Sequence, residues 1–504
     1  MTPGWRLLAA LGLAAWALRA GGSKTQLPGW RRCAVFFSAG LALRGLLGLW
    51  GPYHHNGQAH DWVWQAVSDA WAGARFYGPG YHEAMGWIAW LPVIPDTPLF
   101  AVNALLSSFE PVLLLALVWA MGMPGRRAQL AAGILLLDPI LVRFSATEAH
   151  FSLIGLSVTA VSLLLVLAGR QEEDGRTGPA LLLSVAAGLL ASQASRVHPI
   201  SWLPLALSPL PLFIIEPRDG GPGLIRRLKL AGLAASAGLA ASGPLLLEIL
   251  QRITKPRGDN PTALPFASFS TPGFWETLCV AAALLAGLVW FCKGRRKAAL
   301  LLAAAFLLML ATHGTYVMSR MFAAGYDRLF FPALLAAAAG LLPAKLGAWA
   351  YLAVPAWAGA ALFAYAPGLL HRNTEQLEYA FLRSRLAALP EGCGLLAPGP
   401  AHHPVLRVPD YAVRGRKAAD TPTTHEAFLK AANQPGCRYY VRTSVCSFAE
   451  YADLCGSFER FPWLTEVDRA EFPARPSTDC WTYAKERVDV ALYRIDPPAK
   501  ARKP

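Results

Sequence analysis

Long apolar runs repeat along the chain from Arg31 to about Leu370. Each run has roughly 15 to 24 mostly apolar residues, and about 20 such residues span a bilayer as an α-helix. Charged residues make up only 15% of the 504 residues, against about 25% in an ordinary soluble domain. These features exclude a soluble enzyme, a secreted disulfide scaffold and a disordered protein. They predict a multi-pass α-helical membrane protein with a polar tail.

The runs predict about eleven spans, which lie near 33–50, 98–121, 128–145, 150–169, 179–193, 198–215, 230–250, 274–292, 298–313, 328–343 and 346–367. The connecting segments alternate sides, and one set carries 17 Lys and Arg residues while the other set carries eight. The positive-inside rule places the richer set in the cytoplasm. The outer segments are then 51–97, 145–149, 194–197, 251–273, 314–327 and everything after Leu370. The net charge of +14 is therefore a topology signal, and we expect no nucleic-acid partner.

A shorter apolar run, Leu7–Leu18, precedes these spans between Arg6 and Arg19. It is short for a span, and three interpretations are open: a signal-like segment, an interfacial helix or an additional span. We favour a helix that is not cleaved, because no small-residue cleavage site is obvious before the next basic cluster. Residues 1–32 are predicted to form an N-terminal cytoplasmic or interfacial segment, followed by the transmembrane domain at 33–370.

The tail, residues 371–504, is predicted to be a separate extracytoplasmic domain. It holds five cysteines, which are Cys393, Cys437, Cys446, Cys455 and Cys480. This density suits an oxidising compartment and predicts up to two disulfides and one odd thiol, with the pairing open. A zinc site is the alternative, although the tail has no C-x-x-C spacing.

Local patterns in the tail predict a small α/β or α+β domain. Thr423–Glu426 fits a capping box and is followed by Phe428 at helical spacing. Three segments have strand character, namely Cys393–Leu396, Tyr439–Val441 and Val488–Leu492. No P-loop, dinucleotide fingerprint or G-x-S-x-G elbow is present in the tail. We expect it to cover the membrane domain or to select substrates.

The first outer loop, 51–97, interleaves aromatic residues with acids and histidines, among them His60, Asp61 and Glu83. Anchoring of Trp side chains in the membrane interface is one interpretation, and a sugar-binding surface is the other. Asp61 lies just before a stretch that can start a helix, so it is a candidate N-cap. It is also a candidate general base for an incoming hydroxyl.

Three further acids stand out. Glu148 lies in the short outer turn 145–149, where it is either a solvated loop acid or a site residue facing the first loop. Glu110 and Asp138 fall inside predicted spans, where a charge is costly and is a functional-site hypothesis by default. Because Asp138 precedes Pro139, we favour a structural role in which it satisfies backbone groups freed by a kink.

Basic residues at two outer positions are candidate phosphate ligands. Arg196 and His198 lie in the turn after the fifth predicted span, and Arg328 lies at the outer mouth of a late one. The guanidinium group presents a fork of donors that matches phosphate. Ordinary headgroup contact or an Arg–Asp pair is the alternative for these positions.

Taken in chain order, these features resemble the GT-C superfamily of integral-membrane glycosyltransferases. The resemblance is greatest to the branch of protein O-mannosyltransferases and aminoarabinose transferases, and it covers about residues 33–345. It is carried by Asp61 in a long first loop, Tyr77–Tyr81, Gly125–Ala128, Asp138–Glu148, Gly188–Pro199 and Arg328–Pro332. The chain departs from the family in having His60 beside a single acid, and Glu148 where Asp is more usual.

The resemblance implies an enzyme that transfers a sugar from a polyprenyl-phosphate donor to a lipid, glycan or protein acceptor at the outer leaflet. Asp61 would match the family's first-loop catalytic acid and Glu148 its second-loop acid. We expect the substrate-binding residues to be His60, Glu83, Arg196, His198 and Arg328. Either the arginines would stabilise the leaving phosphate, or a divalent metal ion held by Asp61 and Glu148 would do so.

Two other classes of function compete with this one. A transporter or flippase would predict internal repeats and paired broken spans, which the sequence does not show. A non-catalytic membrane scaffold would predict no effect of changing Asp61. The composition suggests a bacterial inner membrane with the tail in the periplasm, and membrane lipids and the lipid-linked donor as partners.

Overall fold

The computed structural model of the chain describes residues 5–22, 27–49, 79–90, 96–145, 150–198, 201–215, 223–243, 326–343, 345–370, 374–398, 419–474 and 486–496. The predicted spans near 274–292 and 298–313 lie outside these ranges, so the total number of spans stays a prediction.

The described residues up to Leu370 are almost entirely helical. The helices are α1 (Trp5–Gly21), α2 (Trp30–Leu49), α3 (Pro79–Met85), α4 (Asp96–Ala120), α5 (Arg126–Leu137), α6 (Pro139–Phe144), α7 (Phe151–Glu173), α8 (Thr177–Val197), α9 (Trp202–Leu207), α10 (Leu210–Phe213), α11 (Leu224–Ser242), α12 (Phe331–Leu341) and α13 (Ala353–Leu370). Short 3-10 helices lie at Gly86–Trp90, Tyr326–Phe330 and Ala348–Leu352.

Within the described ranges, three segments are both long and apolar enough to cross a membrane: Leu99–Ala120, Phe151–Glu173 and Thr177–Val197. Two predicted spans are broken into shorter helices at prolines. The span near 128–145 divides at Asp138–Pro139, and the span near 198–215 divides into α9 and α10 before Pro209. Proline breaks a helix because it lacks an N–H donor and restricts the preceding residue.

Basic residues of the richer set gather at one end of the helical bundle. Arg126 donates to the carbonyl of Leu346, Arg226 pairs with Glu172 at 3.4 Å, and Arg227 donates to the carbonyl of Phe213 at 3.2 Å. We call this the inner end, and the end where α7 begins and α8 finishes is the outer end. This grouping agrees with the alternation of the predicted loops, and the assignment of the inner end to the cytoplasm stays a prediction.

The apolar run at the N-terminus forms a helix that extends between the two ends of the bundle. Arg6 in its first turn donates two hydrogen bonds to the carbonyl of Ala241, at the outer end of α11. Gly21 at the other end of the helix packs against the side chain of Gln171 near the inner end of α7. Helix α1 also packs against α8. The favoured helix is therefore present, and the choice among the three interpretations of this run stays a prediction.

Residues 374–496 contain a four-stranded sheet packed with helices. The elements are α14 (Thr374–Ala387), β1 (Gly394–Leu396), α15 (His425–Ala432), β2 (Arg438–Arg442), a 3-10 helix (Ser444–Ser447), α16 (Ala449–Glu459), β3 (Leu464–Pro473) and β4 (Arg487–Ile495). The strand order is β1-β2-β4-β3, with β1 parallel to β2 and the other two pairings antiparallel.

An aromatic cluster fills one face of this sheet. The rings of Phe428 and Phe458 stack at 4.4 Å, and Tyr440 meets Phe428 edge-on at 5.4 Å. All three side chains are fully buried. Large rings in offset or edge-on contact contribute both apolar burial and a specific geometry.

The predicted strands and helix of the tail are present, with one shift. The N-cap of α15 is Thr424, whose hydroxyl accepts the Ala427 N–H at 3.2 Å. A capping box would have put Thr423 there, so Glu426 is the second helical residue and not the third. Cys393 is bonded to Cys437 and Cys446 to Cys455. Cys480 lies outside the described residues.

Candidate active site at the outer end of the bundle

A carboxylate and a guanidinium from distant parts of the chain form an ion pair at the outer end. Glu83 on α3 accepts a hydrogen bond from Arg196 Nη2 at 2.7 Å. The two side chains are only 16% and 15% exposed. The sequence predicts Arg196 in a turn, but α8 continues to Val197 and the arginine lies in its last helical turn. Two residues predicted to bind substrate are therefore brought together.

Close backbone approach makes this pairing possible. A Cβ on Gly80 would lie 2.7 Å from Arg196 Cβ and 2.9 Å from the Val197 nitrogen. Only glycine lets α3 sit this near α8. Gln193, one turn before Arg196, donates to Glu83 Oε2 at 3.1 Å and to the Gly80 carbonyl at 3.4 Å. The end of the first outer loop is thus fixed to the outer end of α8 by shape and by charge.

A second arginine lies in the same region. Arg6 of α1 interacts electrostatically with both Arg196 and Glu83. The three groups together carry one net positive charge. Only its position beside an apolar run marks Arg6 in the sequence, because its neighbours in the fold are 77 and 190 residues away. An excess of positive charge favours an anionic group at this end of the bundle.

Two imidazole rings stack beside this pair. The rings of His150 and His198 have centroids 4.1 Å apart and lie within 8° of parallel. His150 precedes the first residue of α7, and His198 follows the last residue of α8. Glu148 lies outside the described residues, two positions before His150 in the sequence. The stack joins the outer turn after α8 to the start of α7.

Arg328 forms an ion pair with Asp138 inside the bundle, and its predicted role as a phosphate ligand stays a prediction. Arg328 Nε donates to Asp138 Oδ2 at 3.3 Å, and neither side chain is exposed. The indole N–H of Trp357 donates to the same oxygen at 2.9 Å. Asp138 Oδ1 accepts the Leu141 N–H at 2.9 Å. The predicted structural role of Asp138 at the kink is present as the N-cap of α6.

A further pair of buried charged residues lies near Asp138. Arg44 on α2 donates to Ser107 Oγ at 2.6 Å and interacts electrostatically with Glu110 and Asp138. Glu110 is 3% exposed and packs directly over Gly155, where a Cβ would lie 2.6 Å from Glu110 Oε1. Charges held inside a bundle of apolar helices are expensive and mark functional sites by default.

Three of the predicted site residues, His60, Asp61 and Glu148, lie outside the described residues. Among the residues that the structure does describe, no three His, Cys, Asp or Glu side chains are grouped so that they could hold a metal ion. The expected metal ligands are two of those three residues, so a metal site at Asp61 and Glu148 stays a prediction.

No family model matches the chain, and no curated protein sequence matches it. Among solved structures, the chain is similar to the arabinofuranosyltransferase AftD from mycobacteria, with 14% identity over 93% of this chain and a TM-score of 0.48. It spans 42% of the length of AftD. It is also similar to ArnT from Cupriavidus metallidurans bound to undecaprenyl phosphate, with 15% identity, a TM-score of 0.48, and coverage of 92% of this chain and 98% of ArnT.

The apo form of ArnT is similar at a TM-score of 0.40 and 14% identity, with coverage of 91% of this chain and 97% of ArnT.

Proposed function

We propose that the chain is a membrane glycosyltransferase that moves a sugar from a polyprenyl-phosphate donor to a lipid, glycan or protein acceptor at the outer face. The observation that supports this most is the clustering at the outer end of the bundle. Glu83, Arg196 and His198, which the sequence predicts as substrate-binding residues, lie there together with Arg6. Carboxylates suit sugar hydroxyls, and guanidinium groups suit phosphate.

The chemistry would be an inverting displacement at the anomeric carbon. The acceptor oxygen attacks that carbon as the bond to the phosphate oxygen breaks, and the lipid phosphate leaves with the electron pair. Asp61 would take the proton of the acceptor hydroxyl as general base. Since the leaving group is an anion, it needs charge stabilisation and not protonation.

The positive groups have separate roles in this proposal. Arg196 and Arg328 would stabilise the negative charge that develops on the leaving phosphate. Glu83 would hold Arg196, and His60 and His198 would contact the sugar or the acceptor. Glu148 would orient the substrates. Alternatively, Glu148 and Asp61 would hold a divalent metal ion that stabilises the leaving phosphate in place of the arginines.

Transfer by the purified chain in nanodiscs is the direct test. A panel of radiolabelled polyprenyl-phosphate sugars is offered, and release or transfer of the sugar is followed. We expect one donor to be turned over, and Asp61→Asn to reduce turnover by about 10²- to 10⁴-fold, the range for loss of a general base. Asp69→Asn, in the same loop, is the matched control and should retain activity.

The outcomes separate the parts of the proposal. Turnover that survives in Asp61→Asn would remove the assignment of the base and keep the enzyme. A folded native chain that turns over no donor would contradict the enzyme and favour a transporter or scaffold. Turnover that a chelator abolishes and Mg²⁺ or Mn²⁺ restores would support the metal variant of the mechanism.

A further inference from the structure

We propose that Asp138 is a positioning residue that orients the guanidinium of Arg328 toward the phosphate of a lipid-linked ligand. This inference rests on the proposed function, because it deepens the role given there to Arg328. It removes Asp138 itself from the candidates for acid–base work and for metal binding.

Both oxygens of Asp138 are already engaged. Oδ1 accepts the backbone N–H of Leu141, while Oδ2 accepts from Arg328 and from Trp357. The side chain is completely buried. A carboxylate with three donors around it in a buried site has little remaining capacity for a substrate hydroxyl. The carboxylate of Asp138 therefore binds groups of the protein and not a ligand.

The same contacts restrict the orientation of Arg328. Asp138 binds the guanidinium at Nε, and the ring of Phe331 lies 4.6 Å from its central carbon. The ring of Trp357 lies 5.7 Å from that carbon. The carboxylate at one edge of the guanidinium and the aromatic rings near it fix the plane of the guanidinium. A guanidinium with a fixed plane loses less entropy when it binds a phosphate.

Asp138 also links Arg328 to the second outer loop. It caps α6, which ends at Phe144, four positions before Glu148 in the sequence. Stability alone is a weak reason for a buried ion pair, because well-packed apolar residues in its place are often as stable or more so. In this proposal the ion pair has a functional role, because Asp138 both orients the guanidinium that binds the phosphate and caps the helix before the second outer loop.

The test measures ligand selectivity in the full chain in nanodiscs. Binding of undecaprenyl phosphate and of uncharged undecaprenol is compared by native mass spectrometry, and donor and acceptor KM are measured where turnover exists. We expect the native chain to prefer the phosphate. Asp138→Asn should weaken phosphate binding about tenfold and raise donor KM similarly, as for loss of a charged hydrogen bond, while acceptor KM is unchanged.

Further variants separate positioning from folding. Trp357→Phe keeps a ring over Arg328 and removes only the indole donor, so it should shift phosphate binding in the same direction by a smaller factor. Arg328→Lys should weaken phosphate binding about as much as Asp138→Asn does. Because the two residues act as a unit, the double variant should bind the phosphate no more weakly than the more impaired of the two single variants. Glu173→Gln removes one partner of the buried Arg170–Glu173 pair at the inner end and should leave phosphate preference unchanged.

Two results would overturn the inference. One is an Asp138→Asn variant that loses thermal stability but retains native phosphate preference and donor KM, which would make the residue structural only. The other is a native chain with no preference for the phosphate over the alcohol. Absence of turnover with every donor would count against the proposed function alone, because phosphate preference that depends on Asp138 would still support the positioning role.

Discussion

Glu83 and Arg196 show how one charge pair can serve both structure and chemistry. The pair fixes α3 to α8, and the bonded atoms are 2.7 Å apart. Both side chains are mostly buried, so water screens the interaction less than it would at a surface. In the proposed function, Arg196 also contributes positive charge to the site. Stabilisation of the leaving phosphate then requires that this charge lies on α8 and not on α3.

Reversal of the two charges distinguishes these contributions. Glu83→Arg and Arg196→Glu should each lower stability by roughly 1.5–3 kcal/mol, the usual range for a hydrogen bond to a charged group. The double variant should recover much of the melting temperature, because the pair is restored in the opposite sense. It should not recover turnover, because the positive charge has moved to α3. Recovery of turnover in the double variant would show that Arg196 only docks the two helices.

At the scale of elements, the bundle depends on places where helices touch backbone to backbone. A Cβ on Gly188 of α8 would lie 2.3 Å from the Ala234 carbonyl oxygen and 2.8 Å from Ala237 Cβ on α11. Small residues allow such approaches between helices in membranes, where apolar burial against lipid gives little driving force. The crossing of α8 and α11 matters because α8 carries Gln193 and Arg196 to the site.

Substitution at this crossing should separate helix propensity from packing. Gly188→Ala should lower stability by about 1–3 kcal/mol through overpacking, measured as the melting temperature in detergent. Gly232→Ala on α11 is the matched control, since nothing lies within 4 Å of a Cβ there. Alanine at that position should be neutral or stabilise the chain by about 0.5–1 kcal/mol. Equal effects of the two variants would argue against the close crossing.

Elements were predictable from sequence where one physical signal dominated. Apolar runs identified the long helices, and Pro139 and Pro209 explain why two predicted spans are broken. Strand β3 was missed because its charged residues, such as Glu466 and Arg469, do not give an apolar alternation; it is an edge strand with a register irregularity after Glu466. The apolar run that forms helix α1 fits several interpretations because it is short for a span.

The site was predictable only in part, because its contacts join distant positions. Glu83, Arg196, His198 and Arg328 are recognisable in the sequence as unusual residues at outer positions, but the sequence does not indicate their partners. Trp357 lies 219 residues from Asp138 and reads in the sequence as one aromatic residue in an apolar run. Pairings of this kind depend on how the helices pack, and local sequence patterns do not indicate the packing of distant helices.

For the whole molecule, the two disulfides bear on the sidedness of the C-terminal part. Cys393–Cys437 joins residues 44 apart, and Cys446–Cys455 joins residues nine apart. Such bonds form and persist in oxidising compartments. They support the predicted placement of this part outside the cytoplasm.

The two disulfides should differ in their contribution to stability. From loop length alone, the longer loop should contribute roughly 4 kcal/mol and the shorter one roughly 2.6 kcal/mol. Replacing Cys393 and Cys437 by serine should therefore lower the unfolding temperature more than replacing Cys446 and Cys455. Thiol labelling of native and reduced protein checks that both bonds are present. Labelling of all four cysteines in protein made with the tail exported would contradict the pairing.

Helix α14 has a consequence for protein engineering. Glu378 is fully buried, and its carboxylate accepts from the backbone N–H and the hydroxyl of Ser444 in the sheet region. Thr374 at the start of the same helix donates to the carbonyl of Pro473 on β3. Although α14 follows α13 almost directly in the chain, it belongs to the sheet. A chimaera that transplants residues 374–496 onto another membrane bundle should be spliced between Leu370 and Thr374. A graft point after Ala387 would remove Glu378 and leave the backbone N–H and hydroxyl of Ser444 without that carboxylate.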